Sequence, residues 1–123
     1  MIAGMDPVLM PGRFCFCTVE DGAAFPDALG TFREEEGVSV LLPVAAAEAR
    51  GLPVDSVMRQ ITLRVHSALE GVGLTAAVAG VLADAGIACN MIAARRHDHV
   101  FVPEARAEEA LARLKALQRD AGR

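Results

Sequence analysis

The sequence predicts an α+β fold in which two helices cover one face of an antiparallel sheet, and three observations predict it. Ile61 to His66 alternates apolar and polar side chains, which is typical of a half-buried strand. The spacing then changes, because apolar residues from Leu74 to Ala85 recur every three or four positions and form one stripe on a helix. A second amphipathic helix is predicted over Glu104–Arg119, after two further apolar runs of strand type.

Composition limits the classes of protein to which the chain can belong. It has 123 residues, of which 53% are apolar, and a net charge of −4, which predicts a compact soluble protein. The absence of Trp and Tyr and the lack of a basic stretch argue against nucleic acid as a partner. No apolar run is long enough for a membrane span, and Met1–Met10 does not resemble a signal peptide, so we expect a cytoplasmic protein.

The first half of the chain is predicted to be rich in β-structure. Met1–Gly12 contains two prolines and two glycines and is expected to be an irregular lead-in. Strands are then predicted at Arg13–Val19, Thr31–Glu34 and Val38–Leu42, the last two forming a hairpin around the turn Glu35–Gly37. A short helix follows, with Pro43 as its first residue and Gly51 as its end.

Two clusters in this half invite a chemical interpretation. Cys15 and Cys17 share one face of a strand, so they are either half of a thiolate metal site or two small buried hydrophobic residues. The second interpretation is favoured because only Cys89 remains as a further thiol, and an odd number of cysteines also argues against a disulfide framework. Glu34–Glu36 is interpreted as a solvated edge rather than as a metal or acid–base site.

The two halves, residues 1–56 and 57–123, have similar element orders and are interpreted as a degenerate tandem repeat. In the second half the order strand, helix, strand, strand, helix is ferredoxin-like, with the last strand missing or supplied from elsewhere. Gly86 is expected to end the first helix in a left-handed conformation. The first half has a similar order but lacks the early helix.

Three stretches of the second half, Ser67–Ala77, Gly86–Ala93 and His97–Pro103, together resemble the ACT domain. The resemblance is to small bacterial proteins with two ACT-like halves, which are also similar to the CASTOR arginine sensors. It implies two ferredoxin-like (ACT) βαββαβ halves, each an antiparallel sheet with its helices on one face. It further implies a regulatory module that binds a small molecule, which we expect to be an amino acid, and that forms a homodimer or a higher homo-oligomer. We expect this module to be non-catalytic and to need no cofactor or metal. One departure is the pair Arg95 and Arg96, where aromatic residues are common in such proteins.

The resemblance places a ligand site at the loop before the first helix of the second half. Glycines there allow backbone amides to approach a ligand, and the helix start offers N–H groups that suit a carboxylate. A strand-to-helix turn that simply needs glycine remains an alternative, and Asn90 either fixes the polar end of a ligand or satisfies a backbone group. The predicted ligand contacts are Ser67, Leu69, Gly71, Val72, Gly73, Leu74 and Asn90.

His97, Asp98 and His99 are the residues with the most obvious potential for chemistry. His97 and His99 share one strand face and are able to bind a metal or to act as acid and base. A structural hydrogen-bonding role is favoured, because Asp98 points away from both and no third ligand is close in sequence. The chain shows no phosphate loop, nucleophile elbow or Cys-x-x-Cys pair, so no catalytic residues are predicted.

Three hypotheses for the function follow from these observations. The first is the amino-acid-binding regulatory module. The second is a structural module that pairs with another protein through its sheet edges. The third is a small metal enzyme built on His97 and His99.

Overall fold

The computed structural model describes residues 2–64 and 73–123 of the chain. Its helices and strands, in chain order, are β1 (Pro7–Leu9), β2 (Phe14–Val19), β3 (Gly30–Glu34), β4 (Gly37–Pro43), α1 (Val44–Ala49), β5 (Met58–Leu63), α2 (Leu74–Asp84), β6 (Asn90–Ala93), β7 (Asp98–Pro103) and α3 (Ala107–Ala121). They form two compact units: the first unit is Gly12–Met58, and the second unit combines Met1–Pro11 with Arg59–Arg123.

The units divide the chain close to the boundary that was predicted between residues 56 and 57, with one difference: Met1–Pro11 packs with the second unit. The two domains themselves stay a prediction.

The sheet of the first unit has the strand order β3-β4-β2, and both pairs are antiparallel. The predicted hairpin is confirmed, since β3 and β4 pair from Gly30↔Leu41 to Glu34↔Gly37. Helix α1 begins one residue later than predicted, at Val44. Pro43 is its N-cap, with φ −56° and ψ 138°. An N-cap residue has non-helical angles, and a proline ring fixes only φ, so Pro43 is compatible with this position.

The first unit contains little helix. Between β2 and β3 the described residues form only a 3₁₀ turn, Gly22–Ala24, which agrees with the predicted absence of an early helix. Its hydrophobic cluster lies between the sheet and α1, and residues from irregular segments, including Phe25, Leu52 and Val57, pack against it. The buried members of the cluster are Cys15, Cys17, Val40, Leu42, Val44 and Ala47.

In the second unit the strand order is β1-β5-β7-β6. The expectation that Met1–Gly12 is an irregular lead-in was wrong, because β1 pairs antiparallel with β5 from Pro7↔Leu63 to Leu9↔Ile61. The start of the chain therefore supplies the strand that the ferredoxin-like order lacked. Local sequence gives little sign of this strand, since three residues that include a proline form a strand only beside an open sheet edge.

Contacts on both sides of β1 fix this segment. The side chain of Met5 is fully buried in the hydrophobic cluster of the second unit. Arg64 donates its backbone N–H to Asp6 O at 3.3 Å, and Met10 donates to Gln60 O at 2.8 Å. Gln118 Nε2 of α3 donates to Ala3 O at 2.9 Å.

Helices α2 and α3 contact each other and share one hydrophobic cluster with the sheet, as the two apolar stripes predicted. The first turn predicted for the second helix is a 3₁₀ turn, Glu104–Arg106, and α3 begins at Ala107. The buried side chains of the helices and sheet in this cluster are Ile61, Leu63, Leu74, Val78, Leu82, Val100, Val102, Ala107, Ala110 and Leu114.

The end of α2 confirms the prediction for Gly86. Its φ is +71°, its N–H donates to Ala83 O at 2.9 Å, and the next N–H, that of Ile87, donates to Leu82 O at 2.9 Å. This is the Schellman pattern, in which a left-handed glycine allows the last turn to satisfy its carbonyl groups. Arg106 adds a donor at the same place, 3.0 Å from Ala85 O.

Candidate functional site

Of the predicted ligand contacts, the structure describes Gly73 and Leu74 at the start of α2, and Asn90. Gly73 is the N-cap, with φ +101°, and it offers no side-chain acceptor to the first turn, while its carbonyl accepts the N–H of Ala77 at 2.9 Å. Leu74 is buried in the hydrophobic cluster and anchors the helix to the sheet. A helix start carries partial positive charge, so this turn suits an anionic group.

The reason for glycine at position 73 is the backbone angle. A Cβ at this position would meet no atom within 4 Å, but φ +101° is a conformation that L residues rarely adopt. A glycine with this conformation is expected both for a ligand-binding loop and for a simple strand-to-helix turn. The conformation of Gly73 therefore does not distinguish the two interpretations. The four predicted contacts that precede it, Ser67, Leu69, Gly71 and Val72, lie outside the described residues.

Asn90 lies elsewhere in the second unit. It is the first residue of β6, it is exposed, and it pairs with Phe101 of β7. Gly73 and Leu74 begin α2 and Asn90 follows its last turn, and a helix of eleven residues is about 16 Å long. The structure therefore does not bring Asn90 into the corner at Gly73 and Leu74.

His99 has a structural role in a small polar cluster that also contains Gln60 and Thr62. His99 Nδ1 lies 3.0 Å from Thr62 Oγ1 and 3.1 Å from Gln60 Nε2, and Gln60 Nε2 also donates to Thr62 Oγ1 at 3.0 Å. The amide of Gln60 is a donor, so Nδ1 accepts and we assign the imidazole proton to Nε2. The predicted hydrogen-bonding role is confirmed for His99.

The protonation of His99 follows from this position. Burial lowers the pKa of His99, the neighbouring charge of His97 lowers it further, and the charge of Asp98 opposes both. Asp98 itself is buried, at 2% exposure. Since Asp98 is adjacent to His99 on β7, its side chain points to the opposite face of the strand, as predicted.

Thr62 corrects one expectation. The alternating pattern predicted that β5 is half buried, with Thr62 on the exposed face, but Ile61, Thr62 and Leu63 are all buried. The hydroxyl of Thr62 tolerates burial because His99 and Gln60 satisfy it. Neither Gln60 nor Thr62 was singled out from the sequence, and no local signal would have marked them, because their partner lies 37 or more positions away.

The cysteines of β2 behave as hydrophobic residues, as predicted. Cys15 is fully buried and Cys17 is nearly so, and Cys17 Sγ lies 3.6 Å from Pro53 O. Burial raises the pKa of Cys15 to about 11, with a further contribution from Cys17, so this thiol is protonated at neutral pH. A protonated thiol is a poor metal ligand and a poor nucleophile.

Two features of the described residues bear on the remaining hypotheses. Within residues 2–64 and 73–123, no three or more His, Cys, Asp or Glu side chains come together in a way that could hold a metal ion. The metal-enzyme hypothesis thus gains no third ligand for His97 and His99 from these residues. In the same ranges no helix has the length and apolar character needed to cross a membrane.

The chain belongs to the ACT domain family. One family model of the ACT domain matches residues 1–59 and another matches residues 55–116, so the two matches lie in tandem. ACT domains are regulatory modules that bind small molecules and are typically non-catalytic, and this is the level at which the family defines the function of the chain. The similarity to the CASTOR sensors stays a prediction. No curated protein sequence matches the chain significantly.

Solved structures share the fold over almost the whole chain. The protein VC0802 from Vibrio cholerae, of unknown function and described as a possible transport protein, is 42% identical, with a TM-score of 0.85 over 92% of this chain and 90% of that chain. Atu0741 from Agobacterium tumefaciens is 16% identical, with a TM-score of 0.76 over 91% and 87% of the two chains. A putative C-terminal regulatory domain of aspartate kinase from Porphyromonas gingivalis is 17% identical, with a TM-score of 0.62 over 91% and 95%. At these identities the last two show the fold alone.

Proposed function

We propose that this chain is a cytoplasmic regulatory module that binds an amino acid at the start of α2 and acts as a homo-oligomer. The observation that carries the proposal is the uncapped helix start at Gly73 and Leu74 in a chain of the ACT family. The carboxylate of the ligand would accept hydrogen bonds from the first-turn amides, which have no acceptor from the side chain of the N-cap.

The first unit supports the proposal by contrast. At the corresponding place, after β2, Asp21 is the N-cap of the 3₁₀ turn, and its carboxylate accepts the N–H of Ala23 at 3.0 Å. In the first unit the carboxylate of Asp21 therefore provides the anionic group. In the second unit the N-cap Gly73 has no side chain, so the first-turn amides are left for the carboxylate of a ligand. We accordingly propose one ligand per chain.

The proposed contacts are not expected to contribute equally. The corner residues are expected to hold the ligand, and Asn90 is expected to contribute least, since it follows the other end of α2. The proposed contacts are Ser67, Leu69, Gly71, Val72, Gly73 and Leu74, with Asn90.

Thermal unfolding in the presence of each amino acid tests the proposal. A ligand at 100 times its dissociation constant adds about 2.7 kcal/mol to the free energy of unfolding, so at least one amino acid is expected to raise the unfolding midpoint by several degrees. A complete panel that leaves the midpoint unchanged would contradict the proposal.

The substitution Thr75→Asp locates the site. Thr75 is exposed in the first turn of α2, where an aspartate stabilises the helix and repels a ligand carboxylate. We expect the variant to be at least as stable as the natural chain and to lose the response to the amino acid. Thr18→Asp, on an exposed strand position of the first unit, is the matched control and should keep the response. A Thr75→Asp variant that responds normally would place the ligand elsewhere.

A further inference from the structure

The hairpin of β3 and β4 in the first unit ends in an acidic loop. Its last strand pair is Glu34↔Gly37, so Glu35 and Glu36 alone connect the two strands. Both side chains are exposed, and we call this pair the acidic loop. The described part of the chain shows no ion pair with either of them.

The equivalent hairpin of the second unit, formed by β6 and β7, ends in a basic loop of the same length. The two hairpins are equivalent because the strand orders are β3-β4-β2 and β6-β7-β5. The N–H of Ala94 donates to His97 O at 3.1 Å, and Arg95 and Arg96 connect these two residues. Both arginines are exposed and have no ion pair with a described residue, and we call them the basic loop. Corresponding surfaces of the two units therefore carry opposite charges.

An exposed apolar side chain lies three residues before each loop. It is Phe32, at 74% exposure, in the first unit and Ile92, at 37%, in the second. Phe32 pairs with Ser39, and the residue after Ser39 is buried in the hydrophobic cluster of the first unit. Ile92 pairs with His99, and the residue after His99 is buried in the cluster of the second unit. Because side chains alternate between the two faces of a sheet, Phe32 and Ile92 both lie on the face opposite the cluster.

We propose that the β3-β4 hairpin of one copy of the chain docks on the β6-β7 hairpin of a second copy. The two hairpins lie face to face with their loops at the same end, so the acidic loop lies beside the basic loop and Phe32 packs near Ile92. One alignment makes both contacts, because the apolar side chain precedes the loop by three residues in each hairpin. The contact is made by side chains, and no strand of one copy hydrogen-bonds to a strand of the other.

A second copy is the partner because this chain carries both halves of the contact. Opposite charges across an interface select the partner and its orientation, whereas two identical loops would repel each other. Exposed ion pairs add little affinity by themselves, so the burial of Phe32 and Ile92 provides most of the attraction. The contact joins different surfaces of two copies, and a two-fold dimer therefore contains it twice.

This inference gives a location to the oligomer of the proposed function and rests on that part of it, while ligand binding at α2 is a separate claim. Charge reversal tests it by sedimentation equilibrium of the full chain. The double variants R95E/R96E and E35R/E36R are each expected to associate about tenfold more weakly than the natural chain, because like charges then meet at the contact. Their circular dichroism spectra should be unchanged, since all four side chains are exposed. An equal mixture of the two variants is expected to associate as the natural chain does, because every docked loop then meets a loop of opposite charge.

The control for the change in net charge is the double variant K115E/R119E. It reverses two exposed charges of α3, so its net charge equals that of R95E/R96E, and it should associate as the natural chain does. Four results would overturn the inference: a monomeric natural chain, a loop variant that associates normally, a mixture of the loop variants that stays monomeric, or a control that associates as weakly as R95E/R96E.

The amino-acid panel run on the same samples separates this inference from the proposed function. An oligomer that survives both loop variants contradicts the hairpin contact and leaves the oligomer of the proposed function in place. Association through the loops without any response to an amino acid contradicts the ligand site alone.

The substitution Phe32→Ser tests the apolar part of the contact. It is expected to weaken association about tenfold, since a large side chain buried at an interface provides much of its affinity. Leu29→Ser is the matched control, because Leu29 is also exposed, at 46%, but lies three residues farther from the acidic loop. Equal weakening by the two substitutions, or normal association of Phe32→Ser, would overturn the proposed alignment.

Discussion

The two units share an arrangement of three strands but differ in the helices that cover it, and only the second unit adds a further strand, β1. Both place the strands in one order, β3-β4-β2 in the first and β6-β7-β5 in the second. Both central strands end in a proline with nearly equal angles, φ −56° and ψ 138° at Pro43 and φ −55° and ψ 137° at Pro103. The helix that follows has six residues in the first unit and fifteen in the second, and α2 has only a 3₁₀ turn as its counterpart.

The comparison shows that a sheet with few helical residues packed on it is covered by irregular segments instead. Among the described residues, the cluster of the first unit has six buried members and that of the second has twelve. In the first unit irregular segments replace the missing helix surface, and large apolar side chains remain exposed at Phe16, Leu29 and Phe32. The second unit thus covers its sheet with two helices, whereas the first covers its sheet with one short helix and irregular segments.

Among the substitutions that test this difference between the units, Met5→Ala is expected to change the free energy of unfolding most. Removing a fully buried methionine side chain costs about 2 to 5 kcal/mol, because the side chain leaves a cavity in the cluster of the second unit. Urea unfolding measures the loss, and amide hydrogen exchange should show it in β5 and α3 and not in β4. Met10→Ala, at a half-buried position outside both clusters, is the control and is expected to cost less. Loss of protection in β4 would mean that the segment supports the first unit instead.

An intermediate and equal effect is expected in the two units from Gly51→Ala and Gly86→Ala. Both glycines have left-handed angles, φ +68° and +71°, and both are followed by a backbone N–H that bonds back into the helix, Leu52 to Ala47 O and Ile87 to Leu82 O, at 3.0 and 2.9 Å. Alanine at such an angle costs about 1 to 2 kcal/mol.

Thermal and urea unfolding of these variants have a control of opposite sign. Gly80→Ala lies inside α2, where a Cβ has open space, and it should stabilise the chain by about 1 kcal/mol. If Gly51→Ala proved neutral while Gly86→Ala destabilised the chain, the two helix ends would not be equivalent.

The smallest expected effect is a dependence of the free energy of unfolding on pH. It is expected in the second unit, because this unit contains all three histidines of the chain. The folded chain holds the pKa of His99 below its ordinary 6.5. The unfolded chain therefore binds the proton first, and the free energy of unfolding falls as the pH drops from 6.5 to the lowered pKa. Above pH 6.5 this contribution is constant.

The control for this effect is His99→Asn, for which the fall in stability between pH 6.5 and the lowered pKa is expected to be smaller than for the natural chain. The dependence due to Glu109 is separable. Hydrogen bonds from Arg106 and Arg113 lower the pKa of Glu109 from 4.5, so its stabilising contribution is lost only at more acidic pH. An identical pH profile for His99→Asn and the natural chain would show that His99 does not titrate differently on folding.

The sequence predicted the elements whose own residues carry a strong pattern. The stripe from Leu74 predicted α2, and the short runs around Cys15 and Val40 predicted strands of the first unit, because burial on one face imposes a period that local sequence records. The glycine at position 86 predicted a left-handed backbone conformation there, because few other residues adopt a positive φ. The reduced helix layer of the first unit was visible in the same way, as a stretch interrupted by proline and glycine.

Elements that depend on distant partners were missed. Strand β1 has three residues and no repeating pattern, and only the open edge of β5 makes it a strand. Thr62 is polar and yet buried, because His99, which satisfies it, lies on another strand. The ligand site was predicted mainly from family resemblance, and Asn90 belongs to a different end of α2 from the corner residues.

The pairing of β1 with β5 also bears on how the chain folds during synthesis. Val8 pairs with Thr62, so β1 is synthesised before the first unit and meets its partner only after the whole of the first unit has been translated. All residues of the first unit are available by Met58, whereas the second unit needs segments from both sides of the first unit. Because contacts between distant residues form slowly, the first unit should reach its final structure early and the second should be the slow step.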